Sequence, residues 1–145
     1  MKRVICIAGP TASGKSAWAI DVAKDVDGEI VNADSMQVYA DLQILSARPS
    51  AEEMDGIPHH MFGHIDGSVR YSTGHWTREV MPVIAEIRSR GKTPVLVGGT
   101  GLYFHALTVG LAKVPLVEPE ALAQTQALLD DGIEILRDRA QSLDP

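Results

Sequence analysis

Apolar residues along the chain fall into short unbroken runs, separated by longer stretches in which they recur every three or four positions. Val4-Ile5-Cys6-Ile7-Ala8 is the first run and reads as a buried strand, followed by Ala17 to Ala23 as an apolar-rich helix. Gly28-Glu29-Ile30-Val31-Asn32-Ala33-Asp34 reads as a second strand ending in an acid. A strand, helix, strand succession of this length predicts parallel pairing. Ser50 and Glu53 have the spacing of a capping box, which predicts the start of a short helix. Pro58 to Ile65 predicts a third strand leading into an Asp66-Gly67 turn. Ser72 is placed to cap a helix whose Trp76, Val80, Val83, Ile84 and Ile87 share one face, and Pro82 inside it predicts a kink or the start of a second helix. Pro94 to Val97 is the next buried strand, running into Gly98-Gly99-Thr100-Gly101 before a helical Leu102 to Leu107. From Lys113 the character changes. Val114 to Pro119 reads as a stiff connector, then helices are expected over Glu120 to Leu129 and from Gly132 to Leu143, where Leu122, Leu129, Ile133 and Leu136 call for a partner surface.

Composition narrows the class without changing this layout. With 145 residues, 45% hydrophobic and 22% charged, the chain has enough apolar material for one soluble domain with a core. The only cysteine, Cys6, lies in the first strand, which excludes a disulfide framework and predicts a small core residue in a reducing compartment. No apolar run reaches the length of a membrane span, and Met1-Lys2-Arg3 leads directly into a strand, so a cytoplasmic protein with no membrane partner is expected. A net charge of -6 and scattered Lys and Arg argue against strong nucleic-acid binding by this chain alone. Arg88, Arg90 and Lys92 gather at a helix end, where they complement the helix dipole. His59, His60 and His64 invite a zinc reading, but neither a cysteine nor an acid completes a set at the usual spacing, so packing or hydrogen bonding is expected of them.

The candidate chemistry begins at Gly9-Pro10-Thr11-Ala12-Ser13-Gly14-Lys15-Ser16, which fills the phosphate-loop pattern between a strand and a helix. Such a loop turns several backbone N–H groups inward, and the helix behind it adds its positive end. Lys15 supplies a mobile cation for outer phosphate oxygens, and the Ser16 hydroxyl is placed to hold Mg²⁺. In an open parallel sheet the ligand lies beyond the carboxyl ends of the strands, so Asp34 is expected beside a bound diphosphate, with a cap or turn residue as the alternative. The strand ending at Val97 runs into Gly98, where kinase-type domains carry an aspartate for Mg²⁺, and this predicts room for a flat or bulky ligand close to the backbone. Arg48 is either an exposed loop charge or a side chain that reaches toward phosphate.

The phosphate loop, Asn32-Ala33-Asp34-Ser35-Met36-Gln37-Val38-Tyr39, Ala47-Arg48-Pro49-Ser50, Pro58-His59-His60 and Gly98-Gly99-Thr100-Gly101-Leu102-Tyr103 together resemble the tRNA dimethylallyltransferase family. The resemblance implies an α/β, P-loop NTPase-like parallel sheet flanked by helices over residues 1–112. The start of a helical, tRNA-binding insertion would occupy 113–145 at the C-terminus. It implies transfer of a dimethylallyl group from dimethylallyl diphosphate to N6 of the adenosine 3′ of the anticodon, with Mg²⁺, tRNA and the donor as partners and a monomer at full length. Gly9, Pro10, Thr11, Ala12, Ser13, Gly14, Lys15 and Ser16 would hold the donor, with Mg²⁺ at Ser16. Asp34, Lys15 and Thr100 would be catalytic, with Asp34 taking the amine proton, and Asp34, Ser35, Met36, Gln37 and Thr100 would meet tRNA. Family members are roughly twice this length, so the chain is expected to stop inside the insertion, and Leu122 stands where relatives commonly carry an arginine. An adenylate isopentenyltransferase, a small-molecule kinase and a phosphate-binding module without turnover are the alternatives to be separated.

Overall fold

The computed structural model of the chain describes residues 3–112 and 117–144. Met1 and Lys2, Lys113 to Leu116 of the expected connector, and Pro145 lie outside the described residues. The chain divides into two compact units, Met1–Leu111 and Ala112–Pro145.

In the first unit four strands form one all-parallel sheet: β1 (Ile5–Ala8), β2 (Gly28–Asn32), β3 (His59–His60) and β4 (Thr93–Gly98), in the spatial order β1-β4-β2-β3. Ile5 and Ile30 both pair with Val95, and Ile30 also pairs with His59. Parallel pairing demands crossovers, which α1 (Lys15–Asp25) and α2 (Thr73–Ser89) supply. Helix α3 (Gly101–Thr108) follows β4.

Because side chains alternate along a strand, the apolar runs serve two faces at once. Ile7, Ile30, Val95 and Val97 face α1 with Ala19 and Ala23, whereas Val31 and Leu96 face α2 and α3 with Trp76, Val80, Ile84, Ile87 and Tyr103. The result is three layers, helix on sheet on helix. Among the described residues no helix is long and apolar enough to cross a membrane.

Several expectations need correction. Cys6 is exposed, because it alternates away from the α1 face on a strand at the edge of this sheet. Of the third strand only His59–His60 pairs in the ladder, with Ile65 making a separate bridge to Tyr39. Ser50 and Glu53 do form a reciprocal capping pair, at 2.8 and 3.2 Å, but no helix follows. Asp55 and Gly56 enter the left-handed region (φ 50° and 73°) and end it after one turn. Helix α2 passes through Pro82 without dividing. Pro82 and Arg78, four residues before it, both lie on the exposed face, where water can satisfy the freed carbonyl.

Arg90 is not merely a cation at a helix end. It binds the buried Glu29 carboxylate at 2.8 Å, shares it with His60 at 2.6 Å, and also pairs with Glu86, while Lys92 pairs with Asp27. His64 bonds Glu79 at 3.0 Å and His59 bonds the Ile57 carbonyl at 2.8 Å, so all three histidines have hydrogen-bonding roles. No metal-binding cluster of His, Cys, Asp and Glu occurs among the described residues.

In the second unit, α4 (Pro119–Asp131) and α5 (Ile133–Leu143) pack on each other about Gly132. Leu122, Leu129 and Ile133 are exposed there, and Leu136 is half-buried.

Candidate functional site

Three strands deliver their carboxyl ends to one edge of the sheet: β1 to the phosphate loop, β2 to Asp34 and β4 to Gly99. In the loop, Ala12 (φ 60°) and Gly14 (φ 79°) sit in the left-handed region between residues of ordinary φ, the alternation that turns consecutive amides inward. For Ala12 that conformation costs about 1 kcal/mol. Gly14 is the N-cap of α1 and makes no side-chain cap, so the first amides of that helix point at the loop without an internal acceptor. The Lys15 ammonium folds across the loop to the Pro10 carbonyl at 2.7 Å.

Asp34 is held from both sides. Its N–H donates to Asn32 Oδ1 at 2.9 Å, and Asn32 Nδ2 donates back to the Asp34 carbonyl at 2.9 Å and to the Met61 carbonyl at 3.1 Å. Asn32 is wholly buried, and its own carbonyl accepts from Trp76 Nε1 at 2.9 Å. Asp34 Oδ1 accepts from the N–H groups of Met36 (2.9 Å) and Gln37 (3.4 Å), closing a local turn. Thus the cap reading of Asp34 holds for one oxygen. Oδ2 makes no hydrogen bond among the described residues and faces Gly99, where an added Cβ would lie 3.6 Å away.

These pieces enclose a cleft of about 380 Å³, within the range of small-ligand sites. Thr11, Ala12, Ser13, Gly14, Lys15 and Ser16 line one wall; Asp34, Met36 and Gln37 line the other, with Leu45, Ser46 and Ala47. Gly9 and Pro10 lie outside this cleft, in a neighbouring depression against Trp18. Thr100 and Ser35 do not line it either. Thr100 Oγ1 accepts from the Ser35 N–H at 2.9 Å and approaches Ser35 Oγ at 3.3 Å, so it braces the Asp34 turn against β4. Arg48 turns away, donating to the Ala40 carbonyl at 2.9 Å.

Gly98 is needed for a reason other than the one expected. A Cβ there would sit 2.0 Å from the Ala33 carbonyl oxygen, so the close approach is made by the end of β2 rather than by a ligand. Beneath it, Tyr103 is buried and stacks on Trp76, with ring centroids 4.3 Å apart and planes at 14°. Burial, then the neighbouring charges of Tyr39, Asp34 and Glu79, push its hydroxyl up to about 12. Sequence reasoning missed the supporting roles of Asn32 and Tyr103 and the Leu45 to Ala47 wall. A buried amide at the end of an otherwise apolar strand was the signal for the first.

The residues fit Mg²⁺ in its usual manner. Ser16 lines the cleft, and this cation takes few protein oxygens, filling its shell from phosphate and water.

The IPP transferase family matches over residues 37–145, and the isopentenyl transferase family over residues 2–64. A tRNA dimethylallyltransferase of Maricaulis maris is 55% identical over all of this chain and 47% of its own length. One from Rhizobium etli is 50% identical over all of this chain and 49% of its own. The chain therefore spans about half the length of these curated relatives. Among solved structures, the full-length tRNA isopentenylpyrophosphate transferase of Bacillus halodurans superposes with a TM-score of 0.75 at 36% identity, covering 100% of this chain and 48% of that one. A eukaryotic dimethylallyltransferase described as acting on tRNA superposes with a TM-score of 0.78 at 37% identity, covering 88% and 33%. These neighbours share the parallel sheet flanked by helices.

Proposed function

The chain belongs to the IPP transferase family, and from that premise we propose that it forms the donor-binding, acid-bearing part of an enzyme that prenylates tRNA. The reaction is transfer of a dimethylallyl group from dimethylallyl diphosphate to N6 of the adenosine 3′ of the anticodon. The observation that carries this reading is the joining of phosphate loop and Asp34 in one cleft.

The loop amides and Lys15 take the diphosphate, whose negative charge grows as the allylic carbon–oxygen bond breaks. Lys15 exchanges the Pro10 carbonyl for a phosphate oxygen, replacing a neutral acceptor with a charged one. The Asp34 carboxylate, with Oδ1 fixed by two amides, presents Oδ2 to the attacking amine and receives its proton as the carbon–nitrogen bond forms. Diphosphate is the leaving group, and no phosphoryl group changes hands. Thr100 acts through Ser35 by holding this turn. Ser16 would hold Mg²⁺, which would supply positive charge to offset that of the diphosphate. The adenine has to leave its stack to reach the cleft.

The test is incubation of the purified chain with labelled dimethylallyl diphosphate, Mg²⁺ and three acceptors: an anticodon stem-loop, AMP, and none. Label on the RNA adenine is the expected result. Label on AMP would mark an adenylate isopentenyltransferase, and donor binding without turnover a phosphate-binding module. ATP consumption in place of transfer would mark a kinase.

A further inference from the structure

Ile44 and Leu45 form the tip of the loop that overhangs the cleft, and they are 96% and 82% exposed. Single exposed apolar side chains are ordinary, but a pair displayed on a loop this firmly held is not. The N–H groups of Ser46, Ala47 and Arg48 donate to the carbonyls of Leu42 (3.0 Å), Ile44 (3.1 Å) and Gln43 (3.0 Å). From beneath, Gln37 Nε2 donates to the Ser46 and Ala47 carbonyls at 3.0 and 3.2 Å. Gln37 belongs to the turn that Asp34 caps, so one residue links the apolar tip to the carboxylate.

Leu45 faces into the cleft and Ile44 stands outside it. A donor anchored by its diphosphate in the phosphate loop lies inside, and Ile44 stands at the mouth, where an acceptor would meet it on entering the cleft. We infer that Ile44, backed by Leu45, is an apolar wedge that fills the stacking gap left when a base is drawn out of single-stranded RNA into the cleft. The inference rests on the transferase reading above. Base faces are apolar, and branched side chains inserted beside an unstacked base take over part of its stacking. Contact of this kind needs no cation, which suits a chain whose net charge is -6.

The experiment uses an anticodon stem-loop with 2-aminopurine, which brightens on unstacking, in place of the acceptor adenosine. The unsubstituted chain is compared with Ile44→Ser and with the conservative Ile44→Leu, and pyrophosphate affinity is measured for all three. The unsubstituted chain and Ile44→Leu should brighten the probe. Ile44→Ser should bind the RNA roughly tenfold more weakly and lose the brightening, with pyrophosphate affinity equal in all three. Brightening that survives in Ile44→Ser would overturn the wedge and leave the transferase reading standing. A loss of pyrophosphate affinity in Ile44→Ser with RNA affinity unchanged would also overturn it, assigning the tip to the donor. Failure of the unsubstituted chain to bind or brighten the RNA would remove both.

Discussion

At Gly98 the backbone of a neighbouring strand occupies the space that a side chain would need, with the Ala33 carbonyl oxygen 2.0 Å from an added Cβ. Neither backbone can yield without separating β2 from β4, so Gly98→Ala is expected to destabilise the fold by about 3 kcal/mol, measured by urea denaturation. Glu29 offers a second test at this scale. Burial alone would raise its carboxyl, but hydrogen bonds from Arg90 and His60 outweigh burial and hold it below 4.5. Its contribution is therefore complete above that pH and is lost as pH falls through the lowered value. His59 is pushed below 6.5 by burial, so the unfolded chain takes that proton first and stability already declines below pH 6.5. Thermal midpoints should fall in two stages, one beginning below about pH 6.5 and a second below about pH 4.5. Glu29→Ala should cost about 2 kcal/mol at neutral pH and flatten only the lower part of that profile.

The elements were legible where one period dominated. Trp76, Val80, Ile84 and Ile87 are buried along α2 as their spacing predicts, and Ile30 and Val31 divide between two faces as a doubly covered strand requires. Sequence pattern overstated the third strand, because Met61 (φ 64°) and Gly63 (φ 57°) turn the chain out of the ladder after two residues. It also gave no hint that His75 would complete the cap of α2. Its Nδ1 accepts from the Ser72 N–H at 3.3 Å while Ser72 Oγ accepts from the His75 N–H at 3.2 Å, a box normally closed by Glu or Gln. Ser72→Ala should lower stability by about 1 kcal/mol, read as a drop in thermal midpoint. Because Trp76 on this helix bonds the Asn32 carbonyl, the same variant should increase amide exchange near Asp34.

Over the whole first unit, what the sequence could place was the meeting of phosphate loop and acid, because parallel topology sends both to the same sheet edge. What it could not place was the bracing: Asn32, bonded to Asp34, is itself anchored to Met61 and Trp76 from distant segments, and Thr100 holds the turn through the Ser35 N–H. On the proposed mechanism the two walls of the cleft divide the labour, one binding diphosphate and the other accepting a proton. Lys15→Ala removes the loop cation and should weaken both donor binding and transfer. Asp34→Asn keeps the Oδ1 acceptor for Met36 and Gln37 while removing the base, so it separates the two functions. The decisive measurement is dimethylallyl diphosphate affinity and dimethylallyl transfer on Asp34→Asn beside the unsubstituted chain. Equal donor affinity with transfer reduced about 100-fold or more is the expected result; donor affinity that falls in step with transfer, or transfer that persists undiminished, would contradict this division of labour.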